Sequence, residues 1–324
     1  VATLRLARDQ LQTAANLLRD GHIVAFPTET VYGLGADAAN AQAVAHVYAA
    51  KGRPSFNPLI AHVSSMQMAQ TIGDFSSQAR KLAQAFWPGP LTLVVPLQDH
   101  HSVCTLARAG LESVGLRVPA HPLARELLNL AQIPIVAPSA NRSGHISPTR
   151  VEHVLADLDG RIDAVLDGGL CQVGVESTIV ACLDGEPVLL RAGGISTSAL
   201  ELVLHQRIKR GTHTVQNLEA PLAPGMLTSH YAPRARVTLN AAHIEKGDAV
   251  LLFGVYRPTG IENAHQIINL SESGDAIEAA ANLFDALRSL DQSGCENIAV
   301  TPILNEGLGE AINDRLSRAA AQRF

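Results

Sequence analysis

Two cations held in one short connection are the first chemistry this sequence offers. Lys51-Gly52-Arg53-Pro54-Ser55-Phe56-Asn57-Pro58-Leu59-Ile60 joins a predicted helix to a predicted strand. Pro54 follows Arg53 and Pro58 follows Asn57, restricting the backbone at each, so these groups keep fixed directions. Fixed cations at a strand mouth suit a polyanion such as a nucleotide phosphate. The same cations would also complement the negative end of the preceding helix, and the block alone leaves both roles open.

Further polar stretches sit at predicted strand ends. Pro27-Thr28-Glu29-Thr30-Val31-Tyr32-Gly33-Leu34-Gly35 supplies hydroxyls, a carboxylate and two glycines. That mixture suits a ligand loop, or a plain turn whose glycines take positive φ. Ala137-Pro138-Ser139-Ala140-Asn141-Arg142-Ser143-Gly144-His145-Ile146-Ser147-Pro148-Thr149 is dense in small donors. It is predicted to open a helix with Ser147 as N-cap and Pro148 at the first helical position, an arrangement suited to phosphate. Gly174-Val175-Glu176-Ser177-Thr178-Ile179-Val180 adds a hydroxyl pair, and Arg191 follows an apolar strand and precedes two glycines. Phe86-Trp87-Pro88-Gly89-Pro90-Leu91-Thr92, with the single tryptophan, reads as a rigid turn between a helix and a strand.

Composition bounds what these groups can do. The 324 residues suffice for two domains, and 47% hydrophobic against 17% charged residues supports a large core. A net charge of −5 with 4% aromatics argues against a protein-wide nucleic-acid footprint, though a local cleft can be positive. Cys104, Cys171, Cys182 and Cys295 form no C-x-x-C pair, and the histidines show no metal-ligand spacing. No protein-held metal or disulfide framework is therefore expected, and the expected compartment is the cytoplasm. No apolar run reaches membrane-spanning length. Phosphate-loop, dinucleotide, serine-hydrolase and zincin motifs are absent, and nothing obliges a covalent nucleophile.

The elements that must position these groups follow from periodicity. Strands are predicted at His22–Phe26, Leu59–Val63, Leu91–Val95, Val114–Val118, Ile133–Ala137, Ala164–Leu166, Ser177–Ala181 and Val188–Arg191. Helices are predicted at Ala7–Arg19, Ala41–Lys51 (with Gly52 as its stop), Ser76–Phe86, Pro122–Leu130 and Thr149–Leu158. The expectation is an α/β catalytic domain over 1–204. Residues 205–235, polar and then rich in Pro and Gly, read as a linker. Residues 236–324 are predicted to form a small, Rossmann-like α/β domain, with strands Arg236–Leu239, Ala249–Phe253, Gln266–Leu270 and Asn297–Thr301 and helices Asp275–Leu290 and Gly309–Gln322.

In this order, P-T-E-T-V-Y-G-L-G, K-G-R-P-x-x-N-P-L, W-P-G-P-L-T, S-A-N-R-S-G-x-x-S-P-T and G-V-E-S-T-I-V resemble the YrdC-like threonylcarbamoyl-AMP synthases. The match runs over about residues 10–195, and Ser229-His230-Tyr231-Ala232-Pro233 resembles the signature of the two-domain form. Ala181 departs from the acidic residue often found after S-T-I-V. The resemblance implies a twisted α/β sheet with a concave basic face. It also implies synthesis of threonylcarbamoyl-adenylate and pyrophosphate from L-threonine, bicarbonate or CO2, and ATP with Mg2+. The product feeds threonylcarbamoyladenosine formation in tRNA through downstream transfer machinery. Carried over residue by residue, Thr30, His62, Arg117, Ala137 and Ser177 would hold threonine. Arg53, Asn57, Ser113, Ser139, Ser147, Arg191 and Tyr231 would hold ATP. Lys51 and Arg53 would clamp phosphates in catalysis.

The inventory suits that chemistry. A carbamate made from threonine's amine and CO2 attacks the α-phosphorus, so the site must orient anions and neutralise charge without an enzyme nucleophile. Arg117 would pair the threonine carboxylate, while His62 would either meet the threonine hydroxyl or act as base. The segment carrying Ser229-His230-Tyr231 is expected to close as a lid over nucleotide, against the alternative that Tyr231 docks the second domain. Two other classes compete: an RNA-binding module of the same fold, with direct tRNA binding left open, and a maturation factor that adenylates carbamoyl phosphate. The latter would carry acylphosphatase and zinc-finger segments, for which this chain has neither the cysteine pairs nor the length.

Overall fold

The computed structural model describes residues 2–211 and 231–321. The first sheet runs, in spatial order, through Leu4–Leu6, Ala164–Leu166, Val24–Phe26, Gly33–Asp37, Ile135–Val136, Ile60–His62, Ser113–Arg117, Leu91–Pro96, Thr178–Ala181, Val188–Arg191 and Lys209–Arg210. A second, all-parallel sheet runs through Arg236–Thr238, Asn297–Val300, Ala249–Leu252 and Gln266–Asn269, with helices Ala276–Gln292 and Gly309–Ala320 beside it. The fold is thus the expected α/β sheet domain with a smaller Rossmann-like domain. Among the described residues no helix is long and apolar enough to cross a membrane.

Period-two alternation divides the central strands between core and cleft. Ala61 sits opposite Val136 and Leu116, and all three enter the main hydrophobic core. His62 pairs with Arg117 across the parallel ladder, so these two polar residues share the other face. The helices around the sheet begin and end at local capping signals. Asn40 Oδ1 accepts from the backbone N–H groups of Gln42 (3.0 Å) and Ala43 (3.1 Å), and the helix Ala41–Lys51 stops at Gly52 in the left-handed conformation, φ 59°.

Several expectations change in detail. The glycine-bearing stretch after Phe26 is partly strand, because Gly33–Asp37 pairs antiparallel with Val24–Phe26. Gly33 and Gly35 are not among the positive-φ residues; they permit close packing, since a Cβ on Gly35 would lie 2.8 Å from the Phe26 ring. The helix predicted at Thr149 begins at Val151 after Arg150, so Ser147 is no N-cap; its hydroxyl turns to the buried Glu176 instead. The helix predicted from Ala7 splits into a 3-10 turn, Arg8–Gln10, and an α-helix, Leu11–Arg19. Strand Leu4–Leu6 and helices Met66–Gln70 and Thr197–Leu204 are elements the periodicity missed. Within the expected linker, Lys209–Arg210 adds an edge strand beside Val188–Arg191. Residues 212–230, which carry Ser229, His230 and most of the expected lid, lie outside the described residues, as does Gln322.

The two sheets share an interface that is apolar at its centre and ionic around it. Val31, Ile146 and Val175 from the first domain join Leu283, Phe284 and Leu287 in one buried cluster. Arg288 reaches back to the Ile146 carbonyl and to Asp157 (3.0 Å), and Arg150 pairs with Asp285 at 2.7 Å. Gly174, at φ 74°, lies so close to the second domain that a Cβ there would sit 2.4 Å from the Ala280 carbonyl oxygen. Gly174→Ala is therefore expected to cost about 2–4 kcal/mol, summing overpacking and left-handed strain. Gly52→Ala, also left-handed but facing open space, should cost only about 1 kcal/mol. Calorimetry of both variants checks this, and equal costs would contradict so close an approach of the domains.

Candidate active site

A cleft on the polar face of the first sheet has about 560 Å³ of space, part of it open to solvent. Its walls include Thr30, His62, Arg117, Ala137, Ser177, Arg53, Ser139, Arg191 and Tyr231, all expected from the sequence, together with Glu176. Each comes from a strand end or the connection beside it, so a single sheet positions most of the site.

One end is organised around Arg117, which is only 4% exposed. Its Nη2 donates to Glu29 Oε1 at 2.6 Å, its Nη1 to Thr30 Oγ1 at 3.0 Å and its Nε to the Gly89 carbonyl at 3.1 Å. Glu29 Oε2 accepts from the backbone N–H groups of Ala120 (3.0 Å) and His121 (3.3 Å), which lead into helix Pro122–Ala131. Burial pushes the Glu29 carboxyl up, but Arg117 and the backbone N–H groups together make the net shift downward. Thr30 Oγ1 also lies 2.8 Å from Thr28 Oγ1. The Trp87 turn is the rigid connection expected, with Nε1 donating to the Leu91 carbonyl at 2.7 Å, and its Gly89 carbonyl additionally aims Arg117.

His62 is buried with Nδ1 lacking a partner and stands edge-on to Phe26, ring centroids 6.2 Å apart. Burial first, and Arg117 second, bring its imidazole down to about 3, so it is neutral near pH 7. A ring so weakly basic suits a hydrogen bond to a substrate hydroxyl better than service as a general base.

The other end is cationic. Arg53 Nε and Nη2 donate to the carbonyls of Asn57 (3.3 Å) and Pro58 (3.1 Å), which are neutral, so its charge remains for the cleft. Burial is the main reason its guanidinium falls to about 10; Tyr48 opposes this and Arg191 adds to it. Two arginines that repel one another in a half-dry cleft favour an anionic ligand between them. Arg191 is anchored by the Ser177 carbonyl at 2.9 Å and Ser177 Oγ at 3.2 Å, and Ser177 Oγ lies 2.8 Å from Thr92 Oγ1. Tyr231 faces this end and stacks on Phe284 of the second domain, centroids 5.5 Å apart. It therefore lines the cleft and docks the second domain together.

Four expected residues do not line the cleft. Lys51 is buried and its ammonium donates to the carbonyls of Ser139 and Asn141, bracing that loop. Burial, then Arg53, pull it well below the usual lysine value. Ser147 sits behind Glu176. Asn57 is buried with Oδ1 unpartnered, and Ser113 opens on an adjoining hollow that shares Ile60 with the cleft. Sequence reasoning assigned no role to Glu29 or Glu176, although each directly precedes an expected threonine contact. No cluster of three or more potential metal ligands occurs among the described residues.

His62 makes the cleft acid-sensitive. Between about pH 6.5 and 3 the unfolded chain takes a proton on this imidazole that the folded protein refuses, so stability falls as pH drops through that window. At pH 4.5 the wild type should lose about 2–3 kcal/mol more, relative to pH 7, than His62→Gln. Urea denaturation at the two pH values measures the difference; identical losses would contradict a neutral buried His62.

The chain matches known proteins over nearly its whole length. Residues 16–193 match the family model described as telomere recombination, and residues 195–321 match the threonylcarbamoyl-AMP synthase C-terminal domain. The chain is 42% identical over 327 residues to the threonylcarbamoyl-AMP synthase of Bacillus subtilis, covering 97% of this chain and 94% of that one. It is 39% identical over 338 residues to the threonylcarbamoyl-AMP synthase of Pyrococcus abyssi, covering 99% and 96%. The crystal structure of P. abyssi Sua5 complexed with L-threonine superposes with a TM-score of 0.88 at 36% identity, covering 99% of this chain and 98% of that one. With both domains matched and its full-length relatives in one enzyme class, the chain belongs to the threonylcarbamoyl-AMP synthase family in its two-domain form, and its activity is that class's synthesis of threonylcarbamoyl-AMP for tRNA modification.

Proposed function

We propose that the cleft binds L-threonine at its Arg117 end and ATP at its Arg53 end, and joins them through CO2 or bicarbonate with release of pyrophosphate. The observation that carries this reading is the fork of Arg117: three of its five N–H donors are occupied, and two are left for a carboxylate. The threonine bound by P. abyssi Sua5 supports the choice of amino acid. Thr30, His62 and Ser177 offer polar partners for its hydroxyl and amine, and Ala137 a backbone wall.

Arg53, Ser139, Arg191 and Tyr231 take the triphosphate and ribose, with Ser147 acting through Glu176. Ser113 and Asn57 serve the nucleoside end, where the adjoining hollow meets the cleft at Ile60. Lys51 contributes by fixing the Ser139 loop rather than by touching phosphate. The carbamate oxygen then attacks the α-phosphorus, and Arg53 and Arg191 stabilise the charge that grows on the departing pyrophosphate. Both oxygens of Glu176, the carboxylate lining the cleft, are held by Ser147 and Arg315, so the donor set fits magnesium carried on the phosphate oxygens. Such an ion would neutralise the triphosphate. The product passes to tRNA-modifying machinery, and the cytoplasm is the compartment this implies.

Mass spectrometry of the reaction of threonine, bicarbonate and Mg·ATP should show threonylcarbamoyl-AMP; AMP with free threonine alone would overturn the reading. Valine, which keeps threonine's shape without the hydroxyl, should be used at least about a hundredfold less efficiently, because it leaves buried polar groups unpaired. Equal turnover of valine would remove His62 and Ser177 from substrate selection. Arg53→Ala should lower kcat/KM for ATP at least about tenfold, a loss of about 1.4 kcal/mol. Unchanged kinetics in the folded variant would return Arg53 to the role of a helix-end charge.

A further inference from the structure

The second domain sends one fully buried cation to the back of the catalytic cleft. Arg315, on helix Gly309–Ala320, has a side-chain exposure of 0%. Its Nε donates to Glu176 Oε2 at 2.9 Å, its Nη1 donates to the Ala192 carbonyl at 2.7 Å, and its guanidinium stands 5.5 Å from the centre of the Tyr231 ring. Each contact leads to the ATP end of the cleft. The other oxygen of Glu176 accepts from Ser147, Ala192 follows Arg191, and Tyr231 itself lines the wall. Helix-to-loop packing alone would not need a cation there. An apolar side chain would fill the volume without the cost of burying charge.

We propose that Arg315 is a positioning residue for threonylcarbamoyl-AMP synthesis, holding Glu176, Ser147, Arg191 and Tyr231 in the geometry that receives ATP. The second domain thereby completes the nucleotide half of the site. The threonine half is held separately, by Glu29 and Arg117 within the first domain. This inference rests on the proposed placement of ATP. It gives the two substrates different dependences on the second domain, which a merely structural joint would not.

The charges around the carboxylate sharpen the consequence. Glu176 faces Arg315 from the second domain and Arg191 from the first, with Ser147 as its neutral donor. Asp314 lies on the far side of Arg315 at 2.8 Å and is also held by Arg318, and the Tyr231 phenol lies near both Glu176 and Arg315. Burial alone would raise the Glu176 carboxyl; Arg315, then Arg191, bring it down. Removing Arg315 lets Glu176 take a proton at higher pH.

The test uses the full-length protein and compares Arg315→Lys, Arg315→Met and the double variant Glu176→Gln/Arg315→Met, which leaves no orphaned charge of the pair. Binding of a non-hydrolysable ATP analogue and of threonine is measured by calorimetry, and steady-state rates are measured across pH. The expected result for Arg315→Met and the double variant is at least a roughly tenfold weaker affinity for the ATP analogue, with threonine affinity within about twofold. In Arg315→Met the acid limb of kcat/KM for ATP should also move up by about one pH unit or more, and Arg315→Lys should restore part of both effects. Folded variants whose two affinities fall together, or whose ATP affinity and acid limb match wild type, overturn the inference while leaving the site assignment standing. A wild type that binds threonine but no ATP analogue overturns the site assignment and the inference with it.

Discussion

The end of the cleft proposed for threonine depends on one buried ion pair, Arg117 with Glu29. Neither charge could remain there alone: removing one partner of a buried pair costs about 3–5 kcal/mol, because the survivor stays desolvated and uncompensated. The pair is tolerable because each group also has hydrogen bonds beyond the pair. Glu29 accepts from Arg117 and from two backbone N–H groups, and Arg117 gives its remaining bonds to Thr30 and the Gly89 carbonyl. Those bonds also fix the direction in which the two leftover donors of Arg117 point. A lysine would carry the charge without the fork and would lose the direction. The strand register that sets His62 beside Arg117, and the turn that delivers Gly89, matter to function because they serve this one group.

The end proposed for ATP holds its buried pair in the opposite order. There the carboxylate, Glu176, lines the cleft and the cation, Arg315, stands behind it. Facing an anionic ligand with a carboxylate is unfavourable unless that carboxylate is neutralised, and Arg315 does so without competing for the ligand's space. Backbone packing makes the arrangement rigid. A Cβ on Gly193 would lie 2.3 Å from the Glu176 carbonyl oxygen and 2.4 Å from the Thr178 nitrogen, so the segments bearing Arg191 and Ser177 press together as only a glycine allows. Arg191 therefore takes its aim from the Ser177 backbone.

How much of this was legible in the sequence follows the range of the interactions. Motifs within one loop were readable: the arginine of the 51–60 block, the Ser139 loop and the Glu176-Ser177 turn all line the cleft, and Gly52 ends its helix as expected. The partners of those groups were not readable, because the chain brings them from afar. Glu29 meets Arg117 across 88 residues and Glu176 meets Arg315 across 139, so adjacent motif letters could not say which carboxylate held which cation. Lys51 and Ser147 show the same limit from the other side. Each has the right type for a phosphate ligand and each lies in the right motif, yet carbonyls at Ser139 and Asn141 claim the ammonium and Glu176 claims the hydroxyl. Buried acceptors must be satisfied before a ligand can be.

The two ends differ in what holds them as well as in polarity. The threonine end is closed by contacts within one sheet domain, where strands on both sides bury apolar side chains in the main core. The ATP end is closed across a domain boundary, by Arg315 to Glu176, Tyr231 to Phe284 and the ring of ion pairs at Asp157 and Asp285. Contacts between domains open at lower cost than a domain's own core. A cleft built this way has one end carried by a single domain and the other carried by contacts between two. For the reaction proposed above, that division makes the seat of the nucleotide depend on the second domain, while the seat of the amino acid depends on the first domain's own core.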